Sequence, residues 1–250
     1  MTTVQLFVTC LVDSFFPQTG QAVVDIFHRL GINVDFAREQ TCCGQPAFNA
    51  GLRKDARAIA EHTIKVFENT TGDIVTPSGS CAHMLRHNYP ELFEGDAVWY
   101  PRAKALSART YEFTEYLVDK LGVTDLGAKW DGLLTYHSSC HTLRGINVDK
   151  QPRALLAKVK GAKLVELPHA EECCGFGGIM SVEHPELSAE WLKRKISNLE
   201  SLTPSTHSVS GRVPTLVVTD AGCRMHIAGG LNRQKKSQRV MHIAEVLNQT

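Results

Sequence analysis

The chain has 250 residues, 43% of them hydrophobic, and a net charge of +1, a composition typical of one or two globular domains. The small net charge argues against general affinity for nucleic acid or anionic lipid. No stretch reaches about 18 uninterrupted apolar residues, so we expect no membrane span. The N-terminal segment has no basic region before its short apolar stretch, so we expect no signal peptide and a cytoplasmic protein.

Predicted strands and helices alternate along the first half of the chain. Short apolar runs rich in β-branched residues predict strands, and longer segments with separate apolar and charged faces predict helices. In order, the predicted elements are a strand at 4–9, a helix at 21–30, a strand at 33–37, a helix at 53–67, a strand at 73–77 and a helix at 111–117.

The second half repeats this order. Its predicted elements are strands at 133–137, 163–167 and 215–219 and helices at 153–160, 185–199 and 241–247. Strands that alternate with helices favour parallel sheets with right-handed crossovers. We therefore predict an α/β protein of two similar Rossmann-like halves with parallel sheets, related by pseudo-twofold symmetry. The first repeat is expected to cover residues 1–122 and the second 131–250.

The eight cysteines of the chain occur as the same pattern twice. Each pattern consists of one cysteine, a Cys-Cys-Gly about 32 residues later, and a last cysteine after the third strand. The first cysteine set is Cys10, Cys42, Cys43 and Cys81; the second cysteine set is Cys140, Cys173, Cys174 and Cys223. The repetition makes chance a poor explanation and predicts one four-thiol site in each half.

Both cysteine sets are predicted to lie where the strands end. In open α/β sheets the carboxyl ends of the strands form the binding crevice, and Cys81 and Cys223 would also lie at helix N-termini, which favour thiolate over thiol. Gly44 and Gly175 follow the paired cysteines, and glycine permits the sharp turn that brings both sulfurs to one centre. Four thiolates form the usual ligand set of an iron–sulfur cluster, which is the favoured interpretation.

Other interpretations of the cysteines stay open from the residues alone. Two zinc sites are one alternative, with histidines near the cysteines as further ligands, but zinc pairs are usually spaced C-x2–4-C and neither half has such a pair. Reactive thiols and buried inert cysteines are two more. His137 and His141 flank the turn before Cys140 and can either bind metal or form hydrogen bonds. Asp220 can either bind metal or cap the following helix.

The motifs around the cysteines resemble those of a known family. They are FVTC at 7–10, CCGQPA at 42–47, PSGSC at 77–81, YHSSC at 136–140, CCGFGG at 173–178 and VMHIAEV at 240–246. This pattern is similar to the cysteine-rich CCG-domain iron–sulfur proteins, which include the catalytic subunit of heterodisulfide reductase and iron–sulfur subunits of glycolate and anaerobic glycerol-3-phosphate dehydrogenases. Short two-repeat members that take part in lactate utilisation are the more similar ones.

The resemblance implies iron–sulfur clusters of the [4Fe–4S] type, up to one per repeat, held by the eight cysteines. It also implies an electron-transfer subunit that works with two companion proteins in oxidising L-lactate to pyruvate. The alternatives are a catalytic subunit acting on a disulfide or small substrate and a zinc-stabilised interaction protein. One feature departs from the family: its fullest pattern ends in Cys-x-x-Cys, whereas Ser78 and Asp220 occupy the first of those positions here. Four thiolates per half are therefore expected.

Overall fold

The computed structural model describes residues 2–202 and 213–250, and its framework is a pair of four-stranded sheets. The first sheet contains β1 (Thr3–Leu6), β2 (Asn33–Asp35), β3 (Asp73–Thr76) and β4 (Thr110–Glu112). The second contains β5 (Lys129–Tyr136), β6 (Lys160–Val165), β7 (Thr215–Val218) and β8 (Arg239–His242). The strand orders are β2-β1-β3-β4 and β6-β5-β7-β8, and every pairing is parallel.

The two sheets also share their register. Gln5 lies opposite Ile74 in the first sheet, and the corresponding Thr135 lies opposite Leu216 in the second. The predicted α/β fold with two similar Rossmann-like halves is therefore confirmed, whereas the boundaries 1–122 and 131–250 stay predictions. The strand β5 already begins at Lys129.

The helices of the first half lie between these strands and after them. They are α1 (Cys10–Phe15), α2 (Pro17–Arg29), α3 (Gln45–Asn49), α4 (Arg53–Glu68), α5 (Gly79–His83), α6 (Tyr89–Leu92), α7 (Trp99–Ala108) and α8 (Phe113–Glu115). Two π-helical turns, Met84–Asn88 and Tyr116–Lys120, extend α5 and α8.

The second half has fewer and mostly longer helices among its described residues. They are α9 (Lys150–Leu156), α10 (Met180–Glu183), α11 (Pro185–Glu200), α12 (Ala221–Arg233) and α13 (Ile243–Leu247), with a π-helical turn at His141–Gly145. None of the described helices is long and apolar enough to cross a membrane.

A shared hydrophobic core joins the two halves. It combines β-strand residues such as Val4 and Leu134 with Phe27 of α2, Leu155 of α9 and Ile243 of α13. A second cluster packs the opposite face of the first sheet against α4 to α7, and a third packs the opposite face of the second sheet against α11 and α12. The arrangement explains why the strands are apolar on both faces, as is typical of parallel sheets.

The sequence-based prediction of the last element in each half was incomplete. Residues 111–117 and 241–247 were predicted as helices only, but the structure places the short strands β4 and β8 immediately before α8 and α13. Both strands pass directly into the following helix, so the sequence reads as one helical segment, and only pairing with β3 and β7 shows the strand conformation. The predicted helix at 153–160 and strand at 163–167 also lie about three residues earlier, as α9 and β6.

Candidate metal centre

All eight cysteines line one cavity of about 150 Å³ between the two halves. Cys10 begins α1, Cys81 and Cys223 are the third residues of α5 and α12, and Cys140 precedes a π-helical turn. The two Cys-Cys pairs lie in the loops after β2 and β6. Every cysteine therefore follows the carboxyl end of a strand, which is where ligand sites form in open α/β sheets.

In the first cysteine set the sulfurs lie in close pairs. The Sγ atoms of Cys10 and Cys42 are 3.7 Å apart, and those of Cys43 and Cys81 are 3.3 Å apart. Cys43 and Cys81 are buried, whereas Cys10 is exposed. The backbone N–H of Gly44 donates to Cys42 Sγ at 3.5 Å, and Gly44 adopts a φ of +84°, which favours glycine.

The second cysteine set repeats this geometry. The Sγ atoms of Cys174 and Cys223 are 3.3 Å apart, and the N–H of Gly175 donates to Cys173 Sγ at 3.3 Å. Gly175 has a φ of +93°, and a Cβ atom there would come within 2.4 Å of the Ser188 carbonyl oxygen. Any other residue at this position would both strain the turn and push α11 away from the cysteine pair.

Hydrogen bonds between neighbouring cysteines shift the pKa values of their thiols in opposite directions. Hydrogen bonds from Cys10, then from Cys43 and the Gly44 N–H, lower the pKa of Cys42 to about 2. The pKa of Cys10 is raised mainly because its thiol donates to Cys42. Likewise, hydrogen bonds from Cys140 and from the Gly175 N–H hold the pKa of Cys173 far below its ordinary value, and the pKa of Cys140 is raised by its bond to Cys173.

The close pairing of the sulfurs fits a metal site. Ionising two neighbouring thiols would place like charges 3.3 Å apart, and a bound cation balances such charges. Metal binding to cysteine releases the thiol protons, because the thiolate is the ligand. The donor chemistry of both cysteine sets therefore suits a metal centre.

Asp220, which the sequence left as either a metal ligand or a cap, is held by protein donors on both oxygens. Oδ1 accepts from the N–H of Gly222 at 3.0 Å and caps α12. Oδ2 accepts from Ser78 Oγ at 3.1 Å and from the N–H of Ser80 at 3.0 Å, so it links the two halves. Burial alone would raise the pKa of Asp220, but the hydrogen bonds from Ser80 and Ser78 hold it below its ordinary value.

Two glycines that the sequence analysis did not identify allow the halves to meet at the cavity. A Cβ atom on Gly79 of α5 would come within 1.8 Å of Thr142 Oγ1, and one on Gly145 would come within 2.7 Å of the His83 ring. The start of α5 thus packs directly against the turn after Cys140. No local pattern could have shown this, because the contact depends on tertiary packing.

The two histidines near Cys140 lie in different surroundings. His141 is part of the cavity wall; its Nδ1 is 3.7 Å from Cys140 Sγ, and its ring packs 5.3 Å from that of His83. His137 is fully buried, and one of its ring nitrogens, Cys174 Sγ and Cys223 Sγ lie within 4.8 Å of one another. Cys223, hydrogen-bonded by Cys174 and close to His137, has its pKa lowered to about 6.

Fold and site together define a two-repeat α/β protein with four clustered cysteines in each repeat, a donor set that suits a metal. The chain belongs to the CCG cysteine-rich domain family, since the family model described as "CCG: Cysteine-rich domain" matches residues 4–86 and again residues 134–228.

Curated relatives match almost the whole chain. It is 47% identical over 245 residues to "Lactate utilization protein A" of Geobacillus sp. (strain WCH70), and the match covers 98% of this chain and 98% of the relative. It is 45% identical over 250 residues to the protein of the same name in Exiguobacterium sp. (strain ATCC BAA-1283 / AT1b), covering 100% of this chain and 98% of the relative. It is 43% identical over 244 residues to "Lactate utilization protein A 2" of Bacillus cereus (strain AH820), and the match covers 98% of this chain and 97% of the relative.

Proposed function

We propose that the chain is an iron–sulfur electron-transfer subunit of a multi-protein cytoplasmic system that oxidises L-lactate to pyruvate. The observation that carries the proposal is the convergence of all eight cysteines on one cavity, in two sets of four. The printed names of the relatives support the lactate part of the proposal, and the family match supports the metal part.

The cysteines are the ligands in this proposal, with up to one [4Fe–4S] cluster per repeat. Such clusters supply acceptors that take up and pass on electrons one at a time. The N–H groups of Gly44 and Gly175 already donate to Cys42 and Cys173, and hydrogen bonds to cluster sulfurs are one of the ways in which proteins set reduction potentials. The exposed Cys10 places one edge of the first cysteine set near solvent, where a partner can dock.

The composition of the cavity wall favours electron transfer over lactate chemistry within the chain. A substrate carboxylate is usually held by Arg or Lys, and none of the described residues that line the cavity is either. The charged wall residue Asp220 is occupied by Ser78, Ser80 and Gly222. The companion proteins in this proposal therefore bind lactate and receive its hydride.

One observation favours a second candidate, a catalytic subunit that acts on a disulfide or another small substrate. Both cysteine sets open onto the same cavity, and Pro46 and Phe176 give its wall apolar surface. A small molecule bound there would contact both sets at once. Bleaching of the visible absorption by substrate without any partner would favour this candidate over the first.

Reconstitution of lactate oxidation tests the proposal. The chain is purified anaerobically, its iron and acid-labile sulfide are measured, and lactate oxidation is assayed with the companion proteins. Full activity is expected only with the wild type and with Glu171→Gln, a control at an exposed side chain two residues before Cys173. Cys173→Ser is expected to abolish activity.

Two results would contradict the proposal. One is full activity of the companion proteins in the absence of this chain, and the other is robust lactate oxidation by this chain alone. Stoichiometric zinc in place of iron and sulfide would support a zinc-stabilised interaction protein instead.

A further inference from the structure

The two halves differ at one buried position directly behind the cysteines. Phe7 lies three residues before Cys10, and His137 lies three residues before Cys140. Both side chains are fully buried. The N–H of Phe7 donates to the carbonyl of Val75 at 2.9 Å, and the N–H of His137 donates to that of Val217 at 3.0 Å. The backbone positions are therefore equivalent, and only their side-chain chemistry differs.

The hydrogen bond of His137 fixes which ring nitrogen carries the proton. Nδ1 lies 3.0 Å from the carbonyl oxygen of Ala170. A carbonyl oxygen can only accept, so Nδ1 carries the hydrogen in the neutral imidazole and Nε2 carries a lone pair. Nε2 is buried and has no hydrogen-bond partner of normal geometry among the described residues. A buried polar atom without a partner is rare and requires an explanation.

The ring of His137 lies beside two sulfurs of the second cysteine set. A ring nitrogen of His137, Cys174 Sγ and Cys223 Sγ are within 4.8 Å of one another, close enough for one metal ion to contact all three. A metal-binding histidine usually donates its other N–H to a carboxylate or a backbone carbonyl, which is the arrangement at Ala170.

We propose that His137 Nε2 is a nitrogen ligand of the metal bound by the second cysteine set, and that the two metal centres of the chain are chemically different. The first centre is bound by thiolates only, because Phe7 has no donor atom. The inference rests on the metal binding of the proposed function but not on its electron-transfer role.

The surroundings of the two side chains support this difference. The buried Lys195 of α11 donates to the carbonyls of His169 at 2.6 Å and Ala170 at 3.5 Å, which holds the segment that orients the His137 ring. At the corresponding place in α4 lies the neutral Thr63. Phe7 instead packs on Phe67 with ring centroids 5.7 Å apart. The second half is thus built to orient a polar ring and the first to bury an apolar one.

The test uses the full chain, labelled with ¹⁵N only in histidine, loaded anaerobically with iron and sulfide and reduced. Pulsed electron paramagnetic resonance of the wild type is expected to show a strongly coupled histidine nitrogen. His137→Phe, which copies the first half, is expected to lose this signal, and His141→Phe is expected to keep it. In His137→Phe the apparent metal affinity of the second set should fall by about 10-fold or more in chelator competition, since even outer partners of metal ligands are worth about 10–100-fold.

The outcomes separate this inference from the proposed function. A loaded wild type without strongly coupled histidine nitrogen would overturn the inference, whether or not the variants fold. Persistence of the signal in His137→Phe, or its loss in His141→Phe alone, would overturn it as well. A wild type that binds no iron and sulfide would defeat the proposed function and the inference together.

Discussion

The two cysteine sets have the same backbone frame and the same spacing of sulfurs, but the side chains that support them differ. In the first half, the Sγ atoms of Cys43 and Cys81 are 3.3 Å apart. In the second half, the Sγ atoms of Cys174 and Cys223 are also 3.3 Å apart. The helix that carries the last cysteine, however, passes into a π-helical turn at Met84–Asn88 in the first half, whereas α12 is α-helical over all 13 residues in the second. The repeat therefore preserves the positions of the cysteines, while the supporting contacts are free to diverge.

Two carboxylates at equivalent positions show the same divergence. Glu115 of α8 pairs with Arg86 at 2.8 Å, and Glu245 of α13 pairs with Arg224, but the two arginines occupy different positions of the repeat. The Arg224–Glu245 pair is almost completely buried. Thr19 donates a hydrogen bond to Glu245, and the Arg224 guanidinium lies over the Phe16 ring. Glu245 thus connects α13 to the first half, whereas the contacts of Glu115 stay within its own half.

Removing the charge of Glu245 is expected to have the largest effect on stability. Glu245→Gln leaves Arg224 buried without its counter-ion and should lower the free energy of unfolding by about 3–5 kcal/mol. Glu115→Gln affects a more exposed pair and should cost about 1 kcal/mol. Urea unfolding of both variants measures the two values, and equal losses would contradict the proposed difference between the halves.

The N-cap residues of α8 and α13 should give the halves opposite pH dependence. Burial raises the pKa of Glu112 to about 7 and lowers that of His242 to about 4, so both are neutral when buried. For Glu112 the folded pKa lies above its ordinary value of 4.5, so stability is lost as the pH rises from about 4.5 to 7. For His242 the folded pKa lies below 6.5, so stability is lost as the pH falls from 6.5 to about 4. Each contribution is about 3 kcal/mol.

Two variants separate these contributions. Glu112→Gln should remove the loss of stability on the alkaline side. His242→Asn, which supplies an amide oxygen in place of the Nδ1 that caps α13, should remove the loss on the acidic side. The free energy of unfolding of the wild type and of both variants, measured from pH 4 to pH 8 in steps of about one pH unit, checks both expectations. If neither variant changed the pH dependence of stability seen in the wild type, the assignment of that dependence to Glu112 and His242 would be contradicted.

The smallest expected effect concerns the caps of α5 and α12. Asp220→Ser copies the residue of the first half, keeps a cap and removes the bonds to Ser78 and Ser80, so it should cost about 2 kcal/mol. Ser78→Ala removes a cap and a single bond to Asp220 and should cost about 1 kcal/mol. Thermal unfolding of the two variants, measured in parallel, compares their stabilities. A larger loss of stability in Ser78→Ala than in Asp220→Ser would show that Asp220 does not link the halves.

Local patterns in the sequence were sufficient to predict six of the eight strands that the described residues form, and the position of each cysteine after a strand. The internal repeat supplies a second copy of these signals. The requirement for glycine at Gly79 and Gly145 could not be recognised from the sequence, because it arises only where the halves pack together. The difference between Phe7 and His137 is visible when the halves are aligned, but the unpartnered Nε2 of His137 becomes apparent only in three dimensions.

Iron and acid-labile sulfide per chain, measured in wild type, Cys43→Ser and Cys174→Ser after anaerobic purification, test the central claim most directly. One set of four thiolates in each half predicts that each variant loses about half of the wild-type iron and sulfide, because a [4Fe–4S] cluster is normally held by four cysteines. Wild-type iron content in either variant, or complete loss of iron in one of them, would contradict the account of one metal centre in each half.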